Sequence, residues 1–258
     1  MRDIQKERDL RNIEIKQVGV KGLTYPIKVF DKKSKSQFTV AKLTLSVNLP
    51  KEYRGTHMSR FIEVLNEERE GIAMWNVFNI LKKLKERLNA ESAHLEISFP
   101  YFIEKEAPVS HIKSMMKYDC KFIGSIDKEG KHLMVEVTVP IQTLCPCSKE
   151  ISEKGAHNQR AYVKIKVKLR SPKEFVWLED LIKLAEESGS APVYSLLKRE
   201  DEKFVTEMAY DNPAFVEDVA RNLALKLNKI KEIEWYRIEV EALESIHNHN
   251  AFAVVEKC

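Results

Sequence analysis

Apolar and polar residues alternate along much of the chain with the two-residue period of a half-buried β-strand. The clearest case is residues 41–49, where Ala41, Leu43, Leu45, Val47 and Leu49 are separated by polar residues. The same pattern recurs at residues 13–20, 27–29, 94–101, 118–122, 133–139, 161–169 and 235–243. The alternation predicts antiparallel strands that bury one face and expose the other to water.

Apolar residues spaced three and four apart predict helices between these strands. The two clearest stripes lie in residues 77–88 and 216–227, and shorter helices are predicted near 55–61 and 201–208. The segment Asp211-Asn-Pro213 predicts the start of the helix at 216–227. The segment Ser171-Pro-Lys-Glu174 has the form of a capping box with proline at the first helical position, so it predicts another helix start.

The predicted elements occur in the order strands, helices, strand, and then strands, helices, strand again. No sequence identity links the two runs, and no low-complexity linker separates them. The fold class is therefore predicted to be α+β, with helices layered on one face of an antiparallel sheet, twice. We place the division between the halves at residue 108, which gives segments 1–108 and 109–258.

Composition narrows the function without identifying it. The net charge of +4 over 258 residues is too small and too evenly spread to indicate nucleic-acid binding. No stretch approaches the ~20 apolar residues of a membrane span, and the charged N-terminus is unlike a signal peptide. We therefore expect a cytoplasmic protein that binds neither nucleic acid nor membrane. In such a compartment the four cysteines, at 120, 145, 147 and 258, are expected to be thiols or metal ligands rather than disulfides.

Residues 145–160 (CPCSKEISEKGAHNQR) join two predicted strands and carry two cysteines and one histidine. Thiolate and imidazole are ligands that a borderline-soft divalent metal prefers. Cys145, Cys147 and His157 are too few for a closed structural site, but they suit an open catalytic one. The cysteines could instead be buried apolar residues or a redox pair. The polar segment argues against burial, and the one-residue spacing argues against a thioredoxin-like pair.

Two further segments carry candidate site residues. His247 and His249 alternate at the end of the predicted strand 235–243, so both are expected on one face. They could bind metal, relay protons or contact phosphate, or simply form a solvated strand end. Glu217 lies in the first turn of a predicted helix, where the helix dipole favours a carboxylate. Its two oxygens suit two adjacent N–H donors, such as the edge of guanine, although an exposed helix glutamate is the simpler interpretation.

Basic residues offer contacts for a polyphosphate. His57 and Arg60 open a predicted helix, where backbone N–H groups attract anions. Lys149, Lys154 and Arg160 flank or lie within the cysteine segment. Scattered basic residues are a weak signal, so they only become informative together with the motifs around them.

These motifs resemble those of GTP cyclohydrolase I of the B type, the metal-dependent prokaryotic form. The resemblance is carried by residues 145–152, 155–160, 55–61, 211–213, 216–218 and 244–249. It implies a tunnelling fold with two sheet-plus-helix halves per chain. It also implies a homotetramer with active sites between subunits. The implied reaction converts GTP and water to 7,8-dihydroneopterin triphosphate and formate, for folate or queuosine synthesis.

The resemblance also implies roles for individual residues. Cys145 and His157 correspond to metal ligands and Glu202 to a third, with Glu200 as the alternative acid in the run 199–202. Glu217 corresponds to the acid that holds guanine. Catalytic roles are predicted for Cys145, His157 and His247, and a substrate contact for Glu217. From their charge and position alone, further substrate contacts are predicted for His57, Arg60, Lys149, Arg160 and His249. Cys147 is expected to be structural or to support the ligands.

The implied cofactor is a divalent ion, zinc or manganese, with iron also admitted by a carboxylate ligand. The implied chemistry is attack of a metal-activated water on C8 of guanine. Two alternatives stay open on the residues alone. One is another pterin-related enzyme on the same fold, and the other is a metal-stabilised binding module without turnover.

Overall fold

The computed structural model describes residues 4–68 and 76–257, apart from the side chain of Lys6. Cys258, predicted to be a thiol or a ligand, lies outside these ranges. The strands are β1 Ile15–Asp31, β2 Lys35–Leu49, β3 Ala93–Glu106, β4 Lys113–Ile126, β5 Lys131–Leu144, β6 Asn158–Leu169, β7 Ala191–Pro192, β8 Ile233–Ala242 and β9 Ala251–Glu256. The helices are α1 Ser59–Asn66, α2 Val77–Leu88, α3 Pro146–Ile151, α4 Leu178–Glu186, α5 Arg199–Asp211 and α6 Val216–Leu227, preceded by a short 3₁₀ turn at Ile4–Lys6. None of these helices is long and apolar enough to cross a membrane.

The elements group into two compact units. The first contains Met1–Phe99 and Lys121–Met134, and the second contains Pro100–Cys120 and Val135–Cys258. The long strands β3, β4 and β5 therefore contribute a segment to each unit. The units are interleaved along the sequence, and the predicted division at residue 108 falls inside the second unit, between β3 and β4.

The first unit is built on the long hairpin of β1 and β2, which pair from Asp31↔Lys35 to Ile15↔Leu49. Strand β2 also pairs with β3, from Lys42↔Ser98 to Val47↔Ala93. The alternating residues of β2 that predicted a half-buried strand are buried as expected. Helix α2 packs directly on β4, because a Cβ on Gly124 would overlap Cγ1 of Val77.

The second unit contains the sheet order β3-β4-β5-β6-β8-β9, with β7 paired to β5 through Ile141↔Pro192. Strands β6 and β8 pair from Ala161↔Ala242 to Leu169↔Ile233. Strand β5 buries one unbroken row of alternate side chains, which ends in a polar residue. The row within the second unit is Val135, Val137, Val139, Ile141 and Thr143.

The predicted helix start at residues 171–174 is wrong. These residues form a turn, closed by a 3.0 Å hydrogen bond from the Glu174 N–H to the Ser171 carbonyl, and α4 begins only at Leu178. Val176 is buried, and the rings of Phe175 and Trp177 meet edge to face at 4.8 Å. Trp177 has an extended backbone, so these contacts delay the helix to the point where Glu179 and Asp180 fill its first turn.

The placement of His247 and His249 on a strand is also wrong. Strand β8 ends at Ala242, and the two histidines lie in a loop before β9, a strand that the sequence pattern did not predict. The side-chain amide of Asn250 donates a 2.8 Å hydrogen bond to Glu241, which closes this loop across the two strands. The two imidazole rings nevertheless stack with centroids 5.3 Å apart.

Candidate active site

The candidate site begins where β5 ends and the chain turns into α3. Cys145 has extended backbone angles and precedes Pro146, so it occupies the N-cap position of this short helix. Its sulfur accepts a hydrogen bond from the Ser148 N–H at 3.4 Å. Its own N–H donates to the His157 carbonyl at 3.1 Å. The two residues that the sequence selected as metal ligands are therefore joined directly through their main chains.

The ring of His157 belongs to a polar cluster of four side chains. Its Nδ1 lies 3.0 Å from Oε1 of Gln159 and 3.8 Å from Oε2 of Glu244. The amide nitrogen of Gln159 donates to Oγ1 of Thr143 at 3.2 Å and to Oε1 of Glu244 at 3.3 Å. Thr143 is buried, and His157 and Glu244 expose only 14% and 13% of their side chains. Water competes little for these contacts.

Helix α6 brings Glu217 to the same place. The Ala214 N–H donates to the carbonyl of Leu144 at 3.0 Å, which ties the approach to α6 to the end of β5. Asp218 caps the helix by accepting the Phe215 N–H at 3.1 Å. Glu217 then lies in the first turn and is exposed.

These elements enclose a cavity of about 520 Å³. Its walls include five predicted site residues, namely Cys145, His157, Glu217, His247 and His249. Thr143, Gln159, Phe215, Glu244 and Phe252 also line it and were not predicted. Gln159 and Glu244 lie inside the motifs quoted above, and Gln159 follows His157 by two residues, but their contacts depend on the sheet pairing.

Glu202 does not line this cavity in the single chain. It lies exposed in the first turn of α5, as does Glu200, whereas Asp201 between them is fully buried. Asp201 accepts the N–H groups of Val109 and Ser110 at 2.8 Å each and that of Lys198 at 2.9 Å. Burial alone would raise the pKa of the Asp201 carboxyl, but these hydrogen bonds outweigh it and hold that pKa well below its usual range.

The five predicted basic or phosphate-binding residues other than His249, Lys154 among them, lie outside the cavity wall. Lys149 donates to the Tyr210 carbonyl at 2.5 Å and lies 4.3 Å from the centre of that ring, so it joins α3 to α5. Arg160 is exposed on β6. His57 and Arg60 belong to the first unit, where Arg60 donates to the Arg87 carbonyl at 2.9 Å.

Within residues 4–68 and 76–257, one group of three or more potential metal ligands has its donor atoms within 4.8 Å of one another: Asp127, Glu129 and His132. Asp127 already accepts the N–H groups of Glu129 and Gly130 in the β4–β5 turn. Cys145, His157 and Glu202 do not form such a group in one chain. Cys145 and His157 nonetheless fit a divalent metal by chemistry, since a thiol and an imidazole with its Nδ1 engaged line one cavity.

The architecture is similar to that of uricases. The uricase from Arthrobacter globiformis matches with a TM-score of 0.55 and 7% identity, over 93% of this chain and 92% of that one. Urate oxidase from Bacillus subtilis 168 matches with a TM-score of 0.53 and 9% identity, over 93% and 98%. At such identities the likeness shows the fold alone. The protein is thus an α+β protein of the tunnelling fold, as predicted.

Sequence comparison defines the family. GTP cyclohydrolase FolE2 of Syntrophotalea carbinolica is 56% identical over 256 residues, covering 99% of this chain and 95% of that one. The FolE2 of Thermosipho africanus is 56% identical over 255 residues, covering 99% and 97%. Residues 1–253 match the family described as type I GTP cyclohydrolase folE2. The chain belongs to that family, and the resemblance drawn from the motifs is confirmed.

Proposed function

We propose that the 520 Å³ cavity of the second unit is where this GTP cyclohydrolase converts GTP and water to 7,8-dihydroneopterin triphosphate and formate. The proposal rests on one observation, which is that residues from separate parts of the chain line the same cavity. Five residues chosen for their chemistry come from the end of β5, the start of β6, the start of α6 and the β8–β9 loop to line one cavity. A cavity of this size suits a nucleotide base and sugar.

A divalent metal is the cofactor that the family and the donor set support. The Cys145 sulfur and an imidazole nitrogen of His157 would hold it, which suits zinc, and a carboxylate ligand would also admit manganese or iron. When bound, the ion supplies Lewis acidity and lowers the pKa of a coordinated water. Glu202 is proposed as the third ligand. Its position outside the cavity of one chain supports a site that is completed between subunits of a homotetramer.

The remaining residues bind and orient the substrate. Glu217 presents two carboxylate oxygens to the N1–H and 2-amino group of guanine, which fixes the base in the cavity. Phe215 and Phe252 offer apolar surface to the faces of the ring. His247 is placed to accept and return protons, because histidine is the side chain that exchanges protons near neutral pH.

The triphosphate needs cationic or N–H partners. His249 lines the cavity and is proposed as one of them. Four further phosphate contacts remain predictions, namely His57, Arg60, Lys149 and Arg160.

Three other expectations also remain predictions. They are the division into halves at residue 108, the cytoplasmic location, and the use of the product in folate or queuosine synthesis. The free thiols of Cys120, Cys145 and Cys147 fit a reducing compartment.

The test is formate release from GTP by the purified, metal-loaded protein, followed together with the dihydropterin absorbance. Cys145→Ala is expected to reduce formate release below detection while circular dichroism stays unchanged, because the main-chain hydrogen bonds of residue 145 do not involve the sulfur. Cys120→Ala is the matched control, since it removes a thiol buried in β4, away from the cavity. Full turnover by Cys145→Ala in excess metal would remove Cys145 from the site.

The choice of third ligand has its own comparison. Glu202→Gln is expected to weaken metal binding, whereas Glu200→Gln, on the same exposed helical turn, is expected to leave it unchanged. The reverse result would assign the ligand to Glu200. A protein that binds metal but releases no formate would instead be the binding module without turnover.

A further inference from the structure

Gln159 makes hydrogen bonds through both ends of its side-chain amide, and this fixes which way the amide faces. Its nitrogen lies 3.3 Å from Oε1 of Glu244 and 3.2 Å from Oγ1 of Thr143. A carboxylate only accepts hydrogen bonds, so the NH₂ end of the amide must face Glu244. The reversed amide would press its oxygen against the carboxylate oxygen in a site that is largely closed to water.

The fixed amide in turn determines the proton of the His157 ring. With its nitrogen directed to Glu244, Gln159 offers only its oxygen to Nδ1 of His157, 3.0 Å away. That oxygen accepts and cannot donate, so Nδ1 must carry a proton. A neutral imidazole has one N–H, and its lone pair is therefore on Nε2.

We propose that Gln159 is a positioning residue that selects the His157 tautomer, so that Nε2 is the atom offered to a metal ion or to the substrate. Glu244 and Thr143 act through Gln159 by holding its amide in one orientation. The inference deepens the proposed function and rests on it for what Nε2 binds. The tautomer itself follows from the hydrogen bonds alone.

The main chain of His157 is already fixed without Gln159. The His157 carbonyl accepts the Cys145 N–H at 3.1 Å, and the His157 N–H donates to Oγ of Ser148 at 3.2 Å. Removal of the Gln159 amide therefore takes away the 3.0 Å hydrogen bond of the His157 ring while the His157 backbone stays in place. This separates a positioning role from a general role in folding.

The first measurement uses Gln159→Leu, which keeps the size of the side chain and removes both hydrogen-bonding ends. We expect zinc affinity, measured by competition with a chromogenic chelator, to fall about 10- to 100-fold, as is typical when the partner of a ligating histidine is lost. The absorption spectrum of the cobalt-substituted protein should change as well. Gln142→Leu is the matched control, because Gln142 lies on β5 and does not line the cavity.

The second measurement exchanges the side-chain amide of residue 159 and the carboxylate of residue 244. Gln159→Glu alone places two carboxylates against each other and should weaken zinc binding. The double variant Q159E/E244Q restores the pattern, since a carboxylate at 159 accepts from Nδ1 of His157 and from the new amide at 244. We expect the double variant to recover most of the zinc affinity that Q159E loses, a recovery that a merely space-filling role would not produce.

The tautomer can also be observed in the metal-free protein by nitrogen NMR of selectively labelled histidine. The parent should show His157 protonated on Nδ1, and Gln159→Leu should show a mixture of tautomers. A parent ring protonated on Nε2, or a Gln159→Leu variant that loses thermal stability but keeps zinc affinity and the cobalt spectrum, would overturn the proposal. If Nδ1 is protonated as expected but zinc binds independently of Cys145, the proposed metal site fails and the tautomer assignment stands.

Discussion

At the scale of single residues, the sharpest expectation concerns Glu217. Glu217→Gln replaces two acceptors by one acceptor and one donor, so one N–H of guanine loses its partner. The KM for GTP should rise by a factor that corresponds to about 1–3 kcal/mol. Steady-state kinetics measure it, with inosine triphosphate, which lacks the 2-amino group, as a second substrate.

The parent enzyme should discriminate strongly against inosine triphosphate, and the variant should discriminate less. Glu207→Gln is a control on another helix, since Glu207 is exposed on α5 and does not line the cavity. If the ratio of kcat/KM for GTP to kcat/KM for inosine triphosphate is the same in Glu217→Gln and the parent, this carboxylate does not recognise the 2-amino group of guanine.

The site residues differ in how far the sequence alone could identify them. Cys145 and His157 were selected because their ligand chemistry lies close together along the chain, and Glu217 because a helix start favours an acid. All three line the cavity. The partners of His157 were not found. Gln159 reaches Thr143 and Glu244, which lie 16 and 85 positions away, so only the pairing of the strands brings them together.

At the scale of elements, Asp201 anchors the first turn of α5 to the β3–β4 connection through Val109 and Ser110. Its folded-state pKa is depressed, so folding favours the carboxylate. The resulting stabilisation is complete above the unfolded value of about 3.9 and is lost as the pH falls from there through the folded pKa.

Asp201→Asn should therefore be less stable than the parent by an amount that is constant between about pH 5.5 and 7 and shrinks below about pH 4. Urea unfolding at a series of pH values measures the difference. Ser110→Ala removes one hydrogen-bond donor to Asp201. The stability of this variant should therefore depend on pH in the same direction as that of the parent, but less strongly. If the difference in stability between Asp201→Asn and the parent stays constant into the acid range, the Asp201 carboxylate does not anchor α5 as described.

Helix α2 and strand β4 pack so closely at Gly124 that no side chain fits. Besides the overlap with Val77, an added Cβ would lie 3.2 Å from Cδ1 of Leu81. Gly124→Ala should destabilise the first unit by about 1–3 kcal/mol, as overpacking of a core does. Denaturant unfolding measures this change, and equal stability of variant and parent would show that α2 shifts without cost.

Two comparisons test the cause of that loss. Gly55→Ala is the control, because the nearest atom to its added Cβ, on Gln5, is at an ordinary 3.5 Å. Val77→Ala combined with Gly124→Ala should cost less than the sum of the two single changes, since the smaller side chain makes room.

The elements with the most regular apolar spacing were predicted best, whereas β1, the longest strand, was predicted only as two separate segments, 13–20 and 27–29. The stripe at 77–88 predicted α2 with its observed bounds, because every buried position keeps the helical period. The start of α4 was missed, because the packing of Val176 and the Phe175–Trp177 ring pair overrode a local helix signal. Strand β9 was missed because its six residues follow a polar loop and carry too short a pattern.

At the scale of the whole molecule, the metal is expected to serve catalysis rather than folding. The second unit has its own apolar core, including the buried row of β5, and that core does not depend on Cys145. A chelator should therefore abolish formate release and leave circular dichroism and the melting temperature nearly unchanged, with activity restored by added metal. Unfolding on chelation would instead assign the metal a structural role.

The same preparation tests the assembly. Light scattering should find a particle of four times the 30.0 kDa chain, if the proposed homotetramer forms. Mixed subunits of Glu202→Gln and Cys145→Ala should regain part of the activity that each variant lacks, if the site draws Glu202 and Cys145 from different chains. A monomer with full turnover would exclude a shared site.

The buried row of β5 serves both the folding of the strand and the chemistry of the site. Thr143, which holds the amide of Gln159, is the last member of the same row as Val135, Val137 and Ile141. Adding or deleting one residue in this row would turn all of its later members to the other face of the sheet. An evolving lineage could therefore alter this corner by substitution at constant length, but an insertion or deletion there would disrupt the folding of the strand together with the alignment of the imidazole.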